Sequence, residues 1–252
     1  MYEKLQCIVL NVMKYSDKNS IAHVYSDRRG RMAFLLPQGS TRGARLRNAA
    51  FMPLSVVELE ARIVPGKDIY SFRDARVLHP LTRIYGDPVR SAVAMFISEF
   101  LTHVIQESER NESLFRYISQ SVLLLNSITQ GVANFHICFV YNLGPFIGIQ
   151  PDAESYTEGA WFDMHEGVFT PYAPPTSHRL APAQARALYM LSRMNFANMH
   201  LFRYSREQRS EILDIMLTYF RIHNNTMGTL RTPILCAGRK SPPCAGRAIL
   251  LQ

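Results

Sequence analysis

Six arginines in the first part of the chain have the chemistry needed to hold phosphate groups. A guanidinium group is planar, keeps its charge and contacts a phosphate through two hydrogen bonds at once. The residues form two dense groups: Arg28, Arg29 and Arg31, then Arg42, Arg45 and Arg47. We therefore predict that they contact a nucleic-acid backbone, with a pair of solvated loops as the alternative.

Four further residues near these segments are weaker candidates for the same surface. They are Lys14, Lys18, Lys67 and Tyr15. An exposed aromatic ring can stack on a base, which contributes about 1 to 3 kcal/mol per stack. Tyr15 and Tyr25 each close a predicted strand, and the sequence leaves both groove and core positions open to them. Phe34 and Phe51 are expected in the core.

The net charge of +8 is unevenly distributed along the 252 residues. Residues 1–80 have a net charge of +6, residues 81–230 have −2, and the last 22 residues have +4. A basic region joined to a nearly neutral one is the asymmetry expected when one part of a protein binds a polyanion. With 47% hydrophobic and 19% charged residues, the composition is that of a globular chain and excludes disorder for most of it.

The elements that must position these cations are short strands. Residues 5–13, 20–25, 31–36, 54–64 and 69–78 are rich in β-branched residues or alternate apolar with polar ones, and turn residues separate them. Five short antiparallel strands with no long helix among them favour a small barrel. We predict an OB-fold domain over residues 1–80.

From residue 81 onwards the apolar period changes to that of helices. Helices are predicted over residues 92–105, 114–128, 132–143, 182–194 and 205–222, the last opened by a capping box at Ser205 and Gln208. Residues 146–180 are predicted to form a loop with a small hairpin. The fold class is thus α+β, with a helical domain over residues 81–235. Residues 236–252 repeat Cys-Ala-Gly-Arg and are predicted to be a poorly ordered basic tail.

Neither catalysis nor metal binding is indicated by the motifs. The sequence has no H-E-x-x-H, G-x-S-x-G, Walker A or G-x-G-x-x-G pattern. The four cysteines, Cys7, Cys138, Cys236 and Cys244, form no C-x-x-C pair, so we expect reduced thiols. We predict no catalytic residue, no metal site and no cofactor.

No apolar run is long enough to span a membrane, and Glu3 and Lys4 stand where a signal peptide would begin its apolar segment. The sequence therefore predicts a soluble, cytoplasmic protein.

Several segments, taken in order, resemble the bacterial RecO family of DNA repair proteins. They are residues 15–25 (YSDKNSIAHVY), 30–37 (GRMAFLLP), 53–60 (PLSVVELE), 142–144 (NLG) and 219–223 (YFRIH). The resemblance covers about residues 1–235.

This resemblance implies an OB-fold followed by a helical domain, binding of single- and double-stranded DNA, and annealing of complementary strands. It also implies loading of RecA onto coated single strands, with RecR, in some pathways RecF, and the C-terminal tail of single-strand-binding protein as partners. A nucleoid-associated location in the cytoplasm follows from these activities.

The chain departs from the family pattern in two places. Many members have a four-cysteine zinc site after the third long helix, where residues 146–152 here read FIGIQPD, so we expect no zinc. After His223 the chain also diverges from the family's final apolar helix, and Pro233 stops a helix there.

Three functional hypotheses follow. The first is a non-enzymatic mediator whose basic barrel anneals DNA. The second is an interaction module whose helical groove binds an acidic peptide with an apolar end, with Arg116, Arg186, Arg193 and Arg203 at its rim. The third is an RNA-binding OB protein, which the order of the matching segments makes the weakest.

Overall fold

The computed structural model describes residues 2–39, 48–105, 109–224, 227–228 and 230. These residues form two compact units. The first contains residues 2–128 and Leu230, and the second contains residues 129–224 and 227–228. The predicted tail over residues 236–252 lies outside the described residues.

The first unit begins with a closed five-stranded barrel in which the strands follow the order β1-β2-β3-β5-β4. The strands are β1 Tyr2–Lys14, β2 Asn19–Ser26, β3 Gly30–Pro37, β4 Val56–Arg62 and β5 Ile69–Val77. The OB-like barrel is thus confirmed. The expectation that all strands are antiparallel is wrong at one seam: β3 and β5 pair in parallel, through Ala33 with Ile69 and Phe34 with Tyr70. Strands that close a barrel need not be sequence neighbours, so local pattern does not reveal their direction.

Alternation along the strands decides which side chains fill the barrel. In β3, Met32, Phe34 and Leu36 are buried, whereas Arg31 and Ala33 on the opposite face are partly exposed. Phe34 and Phe51 both contact the Phe72 ring, with centroid distances of 6.1 and 5.4 Å. Burying each such ring contributes about 1.5 to 3 kcal/mol. The predicted core positions of Phe34 and Phe51 are confirmed.

Among the described residues after β5, the first unit contains three helices: α1 Thr82–Gly86, α2 Pro88–Val104 and α3 Glu112–Ser127. The Asp87 carboxylate caps α2 by accepting from the N–H groups of Val89 and Arg90, and the Asn111 side chain caps α3. Helix α2 packs along β1, where the Ser98 hydroxyl donates to the Leu10 carbonyl.

The compact units divide at a different point from the sequence pattern. The apolar period changes near residue 80, whereas the first unit continues to Ile128. A change of period marks a change of secondary structure, but a unit boundary depends on which elements pack together. Helices α1 to α3 therefore belong with the barrel.

The second unit consists of helices packed with a small three-stranded sheet. Its elements are α4 Phe135–Leu143, β6 Trp161–Asp163, β7 Val168–Thr170, β8 Arg179–Leu180, α5 Pro182–Leu191 and α6 Arg206–His223, with 3-10 turns between them. Both sides of the predicted capping box are present at Ser205 and Gln208. The predicted hairpin is confirmed as β6 and β7, and β8 pairs on the other side of β6.

Gly144 ends α4 where no other residue fits. A Cβ at this position would collide with the backbone carbonyl of Ile149, because the chain folds back against the end of the helix there. The Gly144 carbonyl in turn accepts from the Ile149 N–H at 2.9 Å. The turn between α4 and the sheet therefore requires glycine.

Among the described helices, none has the length and apolarity that crossing a membrane would need.

We predict that the second unit loses stability in acid because of His136. Burial, followed by the charge of Arg209, lowers the pKa of His136 from 6.5 to about 4. The unfolded chain therefore binds more protons between these values, and the free energy of unfolding falls as pH drops from 6.5 to 4, by up to about 3 kcal/mol. Urea unfolding followed by fluorescence of Trp161, the single tryptophan, reports on this unit.

In the variant His136→Gln this pH dependence should be shallower, while above pH 6.5 neither protein should show the histidine contribution. Equal slopes in the two proteins across the acid range would contradict the prediction.

Candidate nucleic-acid interface

One groove of the first unit brings together cations from two distant segments. It has a volume of about 610 Å³ and lies beside the outer face of β2 and β3 and the turn between β4 and β5. We call it the barrel groove. Its lining residues are His23, Arg28, Arg29, Arg31, Met32, Ala33, Lys67, Asp68 and Tyr70.

Strand pairing explains how these side chains meet. Tyr25 pairs with Arg31 and His23 with Ala33, so the outer faces of β2 and β3 lie side by side. The parallel pairing of Phe34 with Tyr70 then brings the start of β5, and with it the turn containing Lys67, against β3. The groove thus depends on the parallel seam that closes the barrel.

Arg28 and Arg29 lie in the turn between β2 and β3, but acidic partners hold them to different degrees. Both Nε and Nη2 of Arg29 lie 2.9 Å from the Glu3 carboxylate. Arg28 is more loosely held, with its Nε 3.7 Å from Asp27 and its side chain 61% exposed. Arg28 can therefore reorient toward a ligand at lower cost.

Arg31 has a structural role that the sequence did not indicate. Its Nη1 donates to the carbonyl oxygens of Thr102 at 2.7 Å and Ile105 at 2.6 Å, at the end of α2. Burial lowers the pKa of this guanidinium. Burial, followed by the charge of Arg31, lowers the pKa of His23 in the groove wall.

The β1–β2 turn is exposed and separate from the lining of the barrel groove. It contains Tyr15, which is 64% exposed, Lys18, and Lys14, whose Nζ lies 3.3 Å from Asp17. Tyr25 is only 1% exposed, and its hydroxyl donates to the Asn111 carbonyl at 3.4 Å. Of the two tyrosines, only Tyr15 presents its ring to solvent.

The second arginine group, Arg42, Arg45 and Arg47, lies outside the described residues. Five groove residues were missed by sequence reasoning: Met32, Ala33 and the three polar or aromatic residues His23, Asp68 and Tyr70. The outward position of His23 follows from alternation in β2, but the approach of Tyr70 depends on the parallel seam, for which the sequence gives no local signal.

The proposed peptide-rim arginines belong to different units. Arg116 is exposed on α3 and donates to Glu112 at 2.9 Å. Arg186 on α5 and Arg203 before α6 are exposed in the second unit. Arg193 there lies over the Tyr189 ring, 5.6 Å from its centroid.

Residues 146–152, where many RecO proteins have a zinc site, do not fit a zinc ion. Residues 146–152 offer no thiol, and the Asp152 carboxylate is engaged by the Glu154 N–H at 3.0 Å. Among the residues that the structure describes, no group of three or more His, Cys, Asp or Glu could hold a metal.

Cys7 and Cys138 are buried, and burial raises the pKa of both thiols, that of Cys138 to about 12. Both are therefore protonated and poorly reactive at neutral pH.

The closed five-stranded barrel and its cationic groove define an OB-like protein with a helical region attached. The N-terminal residues 1–81 match the family described as recombination protein O N terminal, and residues 85–225 match recombination protein O C terminal.

Curated relatives agree with both matches. The chain is 36% identical to the DNA repair protein RecO of Bacteroides fragilis over 224 residues, which cover 88% of this chain and 93% of the relative. It is 34% identical over 223 residues to that of Phocaeicola vulgatus, with 88% and 92% covered. With that of Porphyromonas gingivalis it shares 33% identity over 232 residues, with 90% and 95% covered. The chain belongs to the RecO family of DNA repair and recombination proteins.

We predict that Arg31 stabilises the first unit and that Arg28 does not. Replacing Arg31 by Met leaves the Thr102 and Ile105 carbonyls without these donors, at a cost of about 1 to 3 kcal/mol. The matched variant Arg28→Met should stay within about 0.5 kcal/mol of the unchanged protein. Urea unfolding followed by far-UV circular dichroism measures both, and Trp161 fluorescence gives the second unit as an internal reference. Equal stability of the two variants would contradict the assigned role of Arg31.

Proposed function

We propose that this protein binds single- and double-stranded DNA through the barrel groove and anneals complementary strands. The observation that carries the proposal is the gathering of Arg28, Arg29, Arg31 and Lys67 around one groove. OB barrels bind nucleic acid along the face of strands 2 and 3 and the β1–β2 and β4–β5 loops. The barrel groove shares the face of β2 and β3 and the β4–β5 turn with that surface, whereas the β1–β2 turn does not line it.

Annealing follows from charge neutralisation. Two complementary strands repel each other through their phosphates, and cations placed along one strand reduce the repulsion that the second strand meets. Binding releases condensed counterions, so salt weakens it steeply. Because this mechanism breaks no covalent bond, we propose a non-enzymatic protein that needs no cofactor.

The finer role that we propose is loading of RecA onto strands coated by single-strand-binding protein. RecR, in some pathways RecF, and the acidic C-terminal tail of single-strand-binding protein would be the partners, in the cytoplasm and at the nucleoid. Membership of the RecO family supports this role. Arg186, Arg193 and Arg203 of the second unit remain our candidates for the tail, since an acidic peptide needs cations at its rim.

Neutralising two groove cations should weaken DNA binding and its salt dependence together. The double variant Arg28→Gln, Lys67→Gln removes two exposed charges that hold no helix end. If each contacts one phosphate, a plot of log affinity for single strands against log salt should become shallower, with the magnitude of its negative slope smaller by about 1.4. Fluorescence anisotropy over a salt series measures this.

The control is the double variant Arg73→Gln, Arg76→Gln. Both residues are exposed on β5, and neither lines the barrel groove, so the change in net charge is the same. An equal loss of affinity in the two double variants would mean that only overall charge matters, which contradicts a site in this groove.

The second arginine group can be tested separately. Reversing Arg42, Arg45 and Arg47 to Glu should abolish annealing while circular dichroism shows that the fold survives. Retained annealing would restrict phosphate contact to the other candidates.

The mediator role is tested by annealing two complementary oligonucleotides, bare or coated with single-strand-binding protein that has or lacks its C-terminal tail. Annealing of coated strands that requires the tail is the expected result. No acceleration on either substrate would favour the interaction module instead, and acceleration confined to RNA strands would favour the RNA-binding alternative.

A further inference from the structure

A second groove of the first unit adjoins the barrel groove. It has a volume of about 450 Å³ and is lined on one side by Glu112, Phe115, Arg116, Ser119 and Gln120 of α3. These positions are three and four residues apart, so they form one face of the helix. We call this the α3 groove.

Arg28 lines both grooves. In the α3 groove it stands opposite the helix face, together with Asp27 from the same turn and Gln6 from β1. The two grooves therefore adjoin at this arginine, and one ligand long enough to occupy both would contact it.

The helix side of this groove is held firmly against the barrel. The Tyr25 hydroxyl donates to the carbonyl of Asn111, the residue that caps α3. The Tyr25 and Phe115 rings pack with centroids 6.4 Å apart. The α3 groove is thus preformed, and a ligand need not order the helix before it binds.

Two arginines lie on this side of the groove, Arg110 just before α3 and Arg116 on the helix, and the Glu112 carboxylate pairs with both. Arg110 Nη2 lies 3.0 Å from Glu112 Oε2, and Arg116 Nη2 lies 2.9 Å from Glu112 Oε1. All three side chains are more than half exposed, so these ion pairs are weak and a phosphate can replace the carboxylate.

We propose that a single DNA strand bound in the barrel groove continues past Arg28 into the α3 groove, where Arg110 and Arg116 bind its phosphates. The inference rests on the proposed function and extends the proposed DNA-binding surface from the barrel to the face of α3. Together the two grooves have six Lys or Arg against three Asp or Glu, so their combined charge favours a polyanion.

The lining favours nucleic acid over an acidic peptide with an apolar end. Phe115 is the one apolar side chain among the described residues that line the α3 groove, and it is only 8% exposed. An apolar peptide end would find almost no surface to bury. Phosphates, in contrast, need only the cations and the polar ends of Ser119 and Gln120.

The test compares a short and a long single strand on the full chain. One OB barrel occupies from about 4 to about 16 nucleotides, so a strand of about 4 fits within the barrel groove and a strand clearly longer than about 16 extends beyond it. In the double variant Arg110→Gln, Arg116→Gln, affinity for the long strand should fall about tenfold and its salt slope by about 1.4, with affinity for the short strand unchanged.

A second variant acts in the opposite direction and keeps both arginines. Glu112→Gln removes the carboxylate that competes with phosphate, so affinity for the long strand should rise about two- to threefold. Circular dichroism checks the fold of both variants.

The outcomes are separable. Equal effects of the double variant on short and long strands, or none on either, would overturn the extended path while leaving the barrel groove intact. Failure of the unchanged protein to bind the short strand would instead count against the proposed function. In another outcome, the double variant loses binding to an acidic peptide with an apolar end while its affinity for the long strand is unchanged. That result would make the α3 groove a peptide site and would also overturn the proposal.

Discussion

The first unit depends on guanidinium groups that satisfy the carbonyls at helix ends. The last carbonyls of a helix have no partner within it, and burying them without donors is costly. Arg31 supplies the donor for α2. At the end of α3, Arg90 is only 5% exposed and donates to the carbonyls of Leu125 and Ile128 at 2.5 and 2.7 Å, while Arg83 donates to that of Ser127 at 2.6 Å. These arginines come from earlier elements, so each one also ties a helix end to a distant part of the unit.

This use of arginine divides the positive charge of the chain into two kinds. Arg83 and Arg90 are committed to helix ends, and their contribution to the net charge says little about ligands. Arg28 and Lys67 are exposed on the barrel groove, and their donors are accessible to phosphate. Arg31 belongs to both kinds, because it lines the groove and caps α2. A count of basic residues therefore overstates the binding surface, and the hydrogen-bond partners of each guanidinium decide its role.

The sequence predicts most of the local structure because local structure depends on neighbours. Apolar runs, alternation and the turn residues between them located all five barrel strands, and the capping box located the start of α6. Contacts between distant segments had no such signal. The parallel pairing of Phe34 with Tyr70 sets the groove, and the burial of Tyr25 depends on α3, some 86 residues away. Arg28 and Lys67 were recognised as candidates by residue type and turn position, whereas the helix-end role of Arg31 and the groove position of Arg110 depend on packing that no short segment encodes.

Anchoring also affects how the grooves would hold a flexible strand. Fixing a long side chain on binding costs about 0.5 to 1.5 kcal/mol, and a side chain already fixed by the fold avoids that cost. The α2 carbonyls fix Arg31, and Glu3 holds Arg29 by two nitrogens, so both charges are preorganised. Arg28 is loosely held, and it stands where the barrel groove meets the α3 groove. Fixed charges along the barrel with an adaptable one at the junction would suit the proposed continuous strand, because a reorienting arginine can follow the phosphates from one groove to the other.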